Sequence, residues 1–296
     1  MAIKVKAPGS CGELVQGTIK GQNFLITCPI DVYSQAHIIP GAAPVLPDYQ
    51  KAATAMEMTL RYLGVPQQSQ SIHIQSELLV GKGMASSSAD ISAVCQATAI
   101  HCGRLLQAGE IAAIALSIEP TDAVFYPGIM MFDHVGGKIS RCLGNPPPME
   151  IVILDVGGEI DTLSFNRRND LADRNHSKEK AVNEAVELVA AGVKKGDSRL
   201  IGEGATISAL ANQSILYKPH LEKIIEIGQY YGAVGVNAAH SGTVLGVLFP
   251  AECREGQRPC IEHILSSCDE KVQYIRTARL ISGGLTLVEG DDVWEK

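Results

Sequence analysis

Apolar positions recur along this chain with two periods, and the alternation of those periods predicts its elements. Short apolar runs at residues 3–6, 24–27 and 33–39 read as strands, and 71–75 alternates with period two. Residues 49–63 read as a helix that Gly64 and Pro66 end. Beyond the segment 81–90, Ile91, Val94, Cys95, Thr98, Cys102 and Leu105 fall at helical spacing. A second helix covers about 110–118, with Ile111, Ile114, Ala115 and Ile118 on one face and Pro120 after it. The second half opens on a strand at 151–156. A long helix follows, with Val182, Val186, Val189 and Val193 on one face. Another helix is expected over 219–231, strands at 232–236 and 244–248, a helix near 261–267, and closing strands at 272–276 and 285–288. Strands and helices alternate, so an α+β or α/β two-layer sandwich is the expected class.

The clearest punctuation is Gly144-Asn145-Pro146-Pro147-Pro148, because consecutive prolines continue neither a helix nor a central strand. At 296 residues the chain suits two domains, and the prolines divide it into 1–148 and 149–296. Glycine supplies 29 residues, about a tenth of the chain, and aromatics only 5%, which argues for mixed helix and sheet with tight backbone turns. The net charge of −7, with no basic stripe, argues against nucleic acid as a partner. No apolar run is long and clean enough for a membrane span. Eight scattered cysteines with no CxxC pair, in a chain opening MAIKVKAPGS without an apolar signal core, read as reduced thiols of a cytoplasmic protein.

Four segments carry candidate chemistry. The first is Gly81-Lys82-Gly83-Met84-Ala85-Ser86-Ser87-Ser88, where glycines allow close backbone approach and serines open a helix. Free N–H groups and the helix dipole favour an anion there, phosphate above all, and a serine hydroxyl can ligate Mg²⁺. An ordinary N-cap with extra serines is the plainer reading. Neither a GxxxxGK[ST] loop nor GxGxxG is present. The second is Glu119-Pro120-Thr121-Asp122 at a helix end. Its two carboxylates can serve one site, one holding Mg²⁺ and one accepting a hydroxyl proton, although by itself the segment reads more plainly as a solvated helix end followed by an Asp-containing turn. The third, Gly235 to Gly246, places small residues with Asn237, His240 and Ser241 between two apolar strands, which suits either a backbone-lined concavity for a ligand or a plain strand–turn–strand with a satisfied histidine. The fourth, Ala7-Pro8-Gly9-Ser10-Cys11-Gly12-Glu13-Leu14-Val15-Gln16-Gly17, reads by itself as a glycine-rich turn after an edge strand.

Together and in this order, APGSCGELVQG, GKGMASSSA and GVNAAHSGTVLG resemble the three motifs of the GHMP kinase superfamily, over essentially the whole chain. With EPTDAVFYPGIMMFDH added, the pattern is similar to the branch that phosphorylates the L-threonine side-chain hydroxyl for the aminopropanol linker of cobamides. The resemblance implies a two-domain α+β GHMP kinase fold. Its N-terminal domain would be like ribosomal protein S5 domain 2, and its C-terminal domain a ferredoxin-like α/β sandwich. It implies ATP and Mg²⁺, with the backbone from Gly81 to Ser88 on the phosphates, Ser87 and Glu119 on the metal, and Asp122 as base or orienting group. Where the family often carries a lysine next to the base, this chain has Ser10. Glu13 is then free to bind a substrate ammonium. A substrate carboxylate needs a cation, for which Arg167 and Arg168 are the candidates, with His240 and Ser241 as further substrate contacts. A kinase for homoserine or another small hydroxy compound stays open, as does a non-catalytic sensor of the same fold. The oligomeric state is not fixed by the sequence, and a homodimer remains among the alternatives.

Overall fold

The computed structural model describes residues 3–41, 49–66, 70–157 and 170–289. The chain opens with two long strands, β1 (Ile3–Ile19) and β2 (Gln22–Pro40), joined as a hairpin. The three short runs expected in this region are parts of these two strands. Pro8, Gly9, Gly12 and Gly17, which read as a turn, all lie inside β1. The register slips between Pro8 and Gly9 and again between Ser10 and Glu13, so bulges absorb the residues that a flat strand would reject.

The helix α1 (Gln50–Leu63) follows and ends at Gly64 with φ 69°. Next come β3 (Gln70–Ser76), α2 (Ser86–His101) and α3 (Ala108–Ile118). A capping box between Gln107 and Glu110 starts α3. Two short strands, β4 (Ile129–Phe132) and β5 (Ser140–Gly144), were not expected. The proline tract links β5 to β6 (Met149–Asp155).

The second half continues with α4 (Leu171–Lys195), α5 (Ser198–Asn212), α6 (Leu221–Tyr230), β7 (Gly235–Ala238) and β8 (Val244–Pro250). A 3-10 turn, α7 (Gln257–Ser267), β9 (Gln273–Leu280) and β10 (Thr286–Glu289) complete it. The helix α5 was not expected either, and it carries Gly202 and Gly204. They are there for close packing: a Cβ on Gly204 would lie 2.7 Å from the Ala185 carbonyl of α4, and one on Gly202 would lie 2.3 Å from the Val234 carbonyl.

Ten strands share one sheet in the order β10-β1-β7-β8-β6-β9-β2-β4-β5, with β3 beside β2 and β1 also paired to β2. Strands from both sides of the prolines therefore interleave. Two of the links rest on single pairs, Glu13 with Ala238 and Ile30 with Leu280, close to the slips in β1 and β2. One apolar core unites β1, β2 and β4 with α1 to α4 through residues such as Leu14, Phe24, Ile26, Ile91, Ile111 and Val182. A second lies between β6 to β8 and the helices α6 and α7, around Val152, Leu154, Ile224, Val247, Phe249 and Ile264. All eight cysteines are free thiols. Among the described residues, no helix is long and apolar enough to cross a membrane.

Candidate active site

The three glycine-rich segments meet in space. Gly12 donates its N–H to the Gly83 carbonyl at 3.0 Å, and Ser10 donates to the Met84 carbonyl at 3.0 Å. From the other side, Thr243 and Val244 both donate to the Lys82 carbonyl. The approach is so close that only glycine fits: a Cβ on Gly242 would lie 2.2 Å from the Lys82 oxygen, and one on Gly83 would lie 2.4 Å from the Ala239 Cβ. The loop before α2 is thus clamped between β1 and the β7–β8 turn.

The clamped loop delivers the helix end in an open state. Ala85 is left-handed at φ 54°, and no side chain caps α2. The first helical bond comes from the Ala89 N–H to the Ala85 carbonyl, so the N–H groups of Ser86, Ser87 and Ser88 have no helical acceptor. A left-handed alanine costs of order 1 kcal/mol, and such strain is retained where it positions a binding element. The result is a helix end whose free N–H groups and dipole can hold an anion, in a protein of net charge −7.

A cleft of ≈ 240 Å³ opens over this helix end, lined by Gly81, Gly83 and Met84 to Ser88 on one side and by Glu13, Glu119, Asp122, His134, His240 and Ser241 around it. The Ser87 hydroxyl donates to Glu119, whose other oxygen takes Lys51 Nζ at 2.5 Å. The Ser88 hydroxyl accepts the Asp122 N–H at 3.0 Å, which fixes the turn carrying that carboxylate. Burial, then the Glu119 charge, pushes the Asp122 carboxyl up to about 6 against the pull of Ser88. Glu13 accepts the His240 N–H at 2.6 Å. Burial and the Asp122 carboxylate raise its proton affinity well above the usual range, although His240 and Lys218 oppose them.

The rings of His134 and His240 meet edge to face at 5.1 Å. Burial lowers both, His134 to about 4, so the pair is neutral at physiological pH. Lys218, only 2% exposed, donates to the Gly242 carbonyl and holds the β7–β8 turn in place. Burial brings its ammonium down to about 8 against the attraction of Glu13 and Asp155.

One family match falls in each half of the chain: GHMP kinases N terminal domain over residues 49–128, and GHMP kinases C terminal over 189–257. An L-threonine kinase of Salmonella typhimurium is 31% identical over 82% of this chain and 81% of its own length. The chain belongs to the GHMP kinase family. An L-threonine kinase of Citrobacter freundii is 28% identical over 95% of this chain and 98% of its own. Among solved structures, the homoserine kinase of Cytophaga hutchinsonii superposes with TM-score 0.72 at 17% identity, covering 97% of each chain. The phosphomevalonate kinase of Streptococcus pneumoniae, in complex with phosphomevalonate and AMPPNP, does so with TM-score 0.69 at 13% identity, covering 94% of this chain and 99% of its own.

The cleft of this GHMP kinase gathers most of the residues that the motifs singled out: Glu13, Gly81, Gly83 to Ser88, Glu119, Asp122, His240 and Ser241. Lys82 stands apart. Its ammonium pairs with Asp155 at 2.8 Å, and only its backbone belongs to the clamp. Arg167 and Arg168 lie outside the described residues. Sequence reasoning missed Lys51, His134 and Lys218. His134 was within sight, at the end of the MMFDH run, and Asp133 before it binds the Val135, Gly136 and Lys138 N–H groups to shape its turn. Lys51 and Lys218 come from distant elements with no motif around them. For Mg²⁺, the donor set of one hydroxyl and one carboxylate fits a hard cation that keeps water and phosphate oxygens as its other ligands. The lysine ammonium on Glu119 shows that this carboxylate already attracts a cation.

Proposed function

We propose that this kinase transfers the γ-phosphoryl group of ATP to the side-chain hydroxyl of L-threonine. The observation that carries the reading is the cleft itself, where an uncapped helix N-terminus, the Ser87–Glu119 pair and the raised Asp122 carboxylate face one space. The threonine kinases of S. typhimurium and C. freundii support the choice of acceptor.

The backbone N–H groups of Ser86 to Ser88 hold the phosphate chain. Ser87 and Glu119 would hold Mg²⁺, which when bound neutralises phosphate charge. Asp122, with its proton affinity near 6, is ionised at pH 7.5 and accepts the threonine hydroxyl proton. The freed oxygen forms its bond to the γ-phosphorus as the bond to the bridging oxygen breaks, and ADP leaves. Glu13 binds the substrate ammonium, and the proximity of that cation favours its ionised form. Arg167 is assigned to the substrate carboxylate. His240 and Ser241 close the acceptor side.

On this reading residues 1–148 form the ATP-binding domain and 149–296 the C-terminal kinase domain. The protein works in the cytoplasm, and its product feeds the aminopropanol linker of cobalamin. The test is ADP release with Mg-ATP and threonine, serine, homoserine or mevalonate. Threonine is expected to give the highest kcat/KM, and no threonine turnover above background would sink the assignment. Preference for homoserine would favour the second reading, a homoserine-type kinase, which the fold likeness alone supports.

A further inference from the structure

A second pocket of ≈ 290 Å³ adjoins the cleft, and its lining shows how the two are related. Lys51, Val80, Ser86 and Ser87 line both spaces. Glu13, Asp122 and His240 line only the cleft, whereas Tyr49, Asp90 and Ile91 line only the second pocket. If the transferred phosphoryl group lies by Asp122 and the phosphate chain crosses the start of α2, the nucleoside falls in this second pocket. That polarity rests on the proposed kinase reading.

Asp90 is the only acidic residue that the second pocket's lining does not share with the cleft. Its Oδ1 accepts the hydroxyl of Ser34, a fully buried residue of β2, at 2.5 Å. Among the described residues the other carboxylate oxygen makes no hydrogen bond. Ser34 thus fixes one oxygen and leaves the other for the pocket. A carboxylate only accepts, so its partner must donate. Asp90 stands four residues after Ser86, a rise of about 6 Å along the helix. The ribose follows the α-phosphate directly, while the base amine lies a further ring away. We propose that Asp90, oriented by Ser34, accepts a hydrogen bond from a ribose hydroxyl of the nucleotide and selects ribonucleotides. Burial pushes the Asp90 carboxyl up to about 6 against the Ser34 bond, so a donor in the pocket would relieve a charge that is poorly solvated.

The experiment compares ATP, 2′-deoxyATP and 3′-deoxyATP, by calorimetric Kd and by KM with threonine. In the wild type at least one deoxy analogue should bind about tenfold or more weakly, the loss expected for a hydrogen bond to a charged group. Asp90→Ala, which can neither accept from nor donate to a ribose hydroxyl, should weaken ATP and bring that ratio close to one. Ser34→Ala should give an intermediate ratio. A tie between α2 and β2 with no ligand role would lower Tm and weaken all three nucleotides equally, and that result overturns the proposal. So does a wild type that binds all three alike, which needs no variant to observe. Ribose discrimination in binding, with no transfer to any hydroxyl, would sink the kinase reading and leave the role of Asp90 standing. Threonine turnover without discrimination would do the reverse.

Discussion

Asp122 is the proposed base, and at the scale of single residues its burial has two opposed consequences. Its carboxyl is raised from 3.8 to about 6, so between those values the folded protein holds a proton that the unfolded chain releases. The stability it contributes is full below the lower value and is lost as pH rises through the upper one. At pH 8 the buried charge is a cost of up to roughly 3 kcal/mol. Asp122→Asn should therefore raise Tm at pH 8, with the advantage shrinking as the pH falls from 8 towards 4. The same variant should lower kcat by about 10²–10⁴-fold with a small change in threonine KM. Thermal melts across pH, beside steady-state kinetics, check both halves. A variant of unchanged kcat would reduce Asp122 to an orienting group. Glu119→Ala should raise the Mg²⁺ concentration needed for half-maximal rate, with excess metal restoring part of the activity. An unaltered Mg²⁺ titration would contradict its assignment. Placement in the cleft was legible where a motif held the residue, as for Ser87, Glu119 and Asp122. It was not legible for Lys51 or Lys218, whose place depends on how α1 and the segment before α6 reach the cleft.

The elements were legible where the apolar pattern runs without interruption. The helix α1 begins within a residue of its expected start and ends at the expected glycine. The strand β6, apolar from Ile151 to Leu154, lies within two residues of its expected bounds. In β1, glycine and proline read as a turn and instead sit at strand bulges, and in α5, which was not expected, glycines allow close packing against α4 and Val234. The clamp around the phosphate loop makes the same point in energetic form. Gly242→Ala would force a Cβ to 2.2 Å from the Lys82 carbonyl oxygen and 2.3 Å from the Gly83 nitrogen, backbone atoms with no flexible side chain to yield. Such overpacking costs about 2–3 kcal/mol or more, and the displaced loop should raise the ATP KM several-fold. Denaturant melts and ATP titration measure the two effects. A variant with wild-type stability and KM would show that the clamp does not set the loop.

The architecture of the whole molecule follows from the sheet. The proline tract marks a connection between β5 and β6, yet β1 pairs with β7 and β10 across it, and β2 pairs with β9. Each half therefore leaves strands unpaired without the other. Calorimetry should show one unfolding transition, and residues 1–148 and 149–296 expressed separately should fail to fold. Two resolved transitions would contradict this. Composition and periodicity gave mixed helix and sheet, but this interleaving was not in them, because register across distant strands leaves no local pattern. The central claim concerns the acceptor, and the most direct measurement is identification of the product. Incubated with Mg-ATP and L-threonine, the protein should form O-phosphothreonine by ³¹P NMR in step with ADP, and the Asp122→Asn variant should form almost none. ADP released without phosphothreonine, or no phosphothreonine at all, would contradict the account.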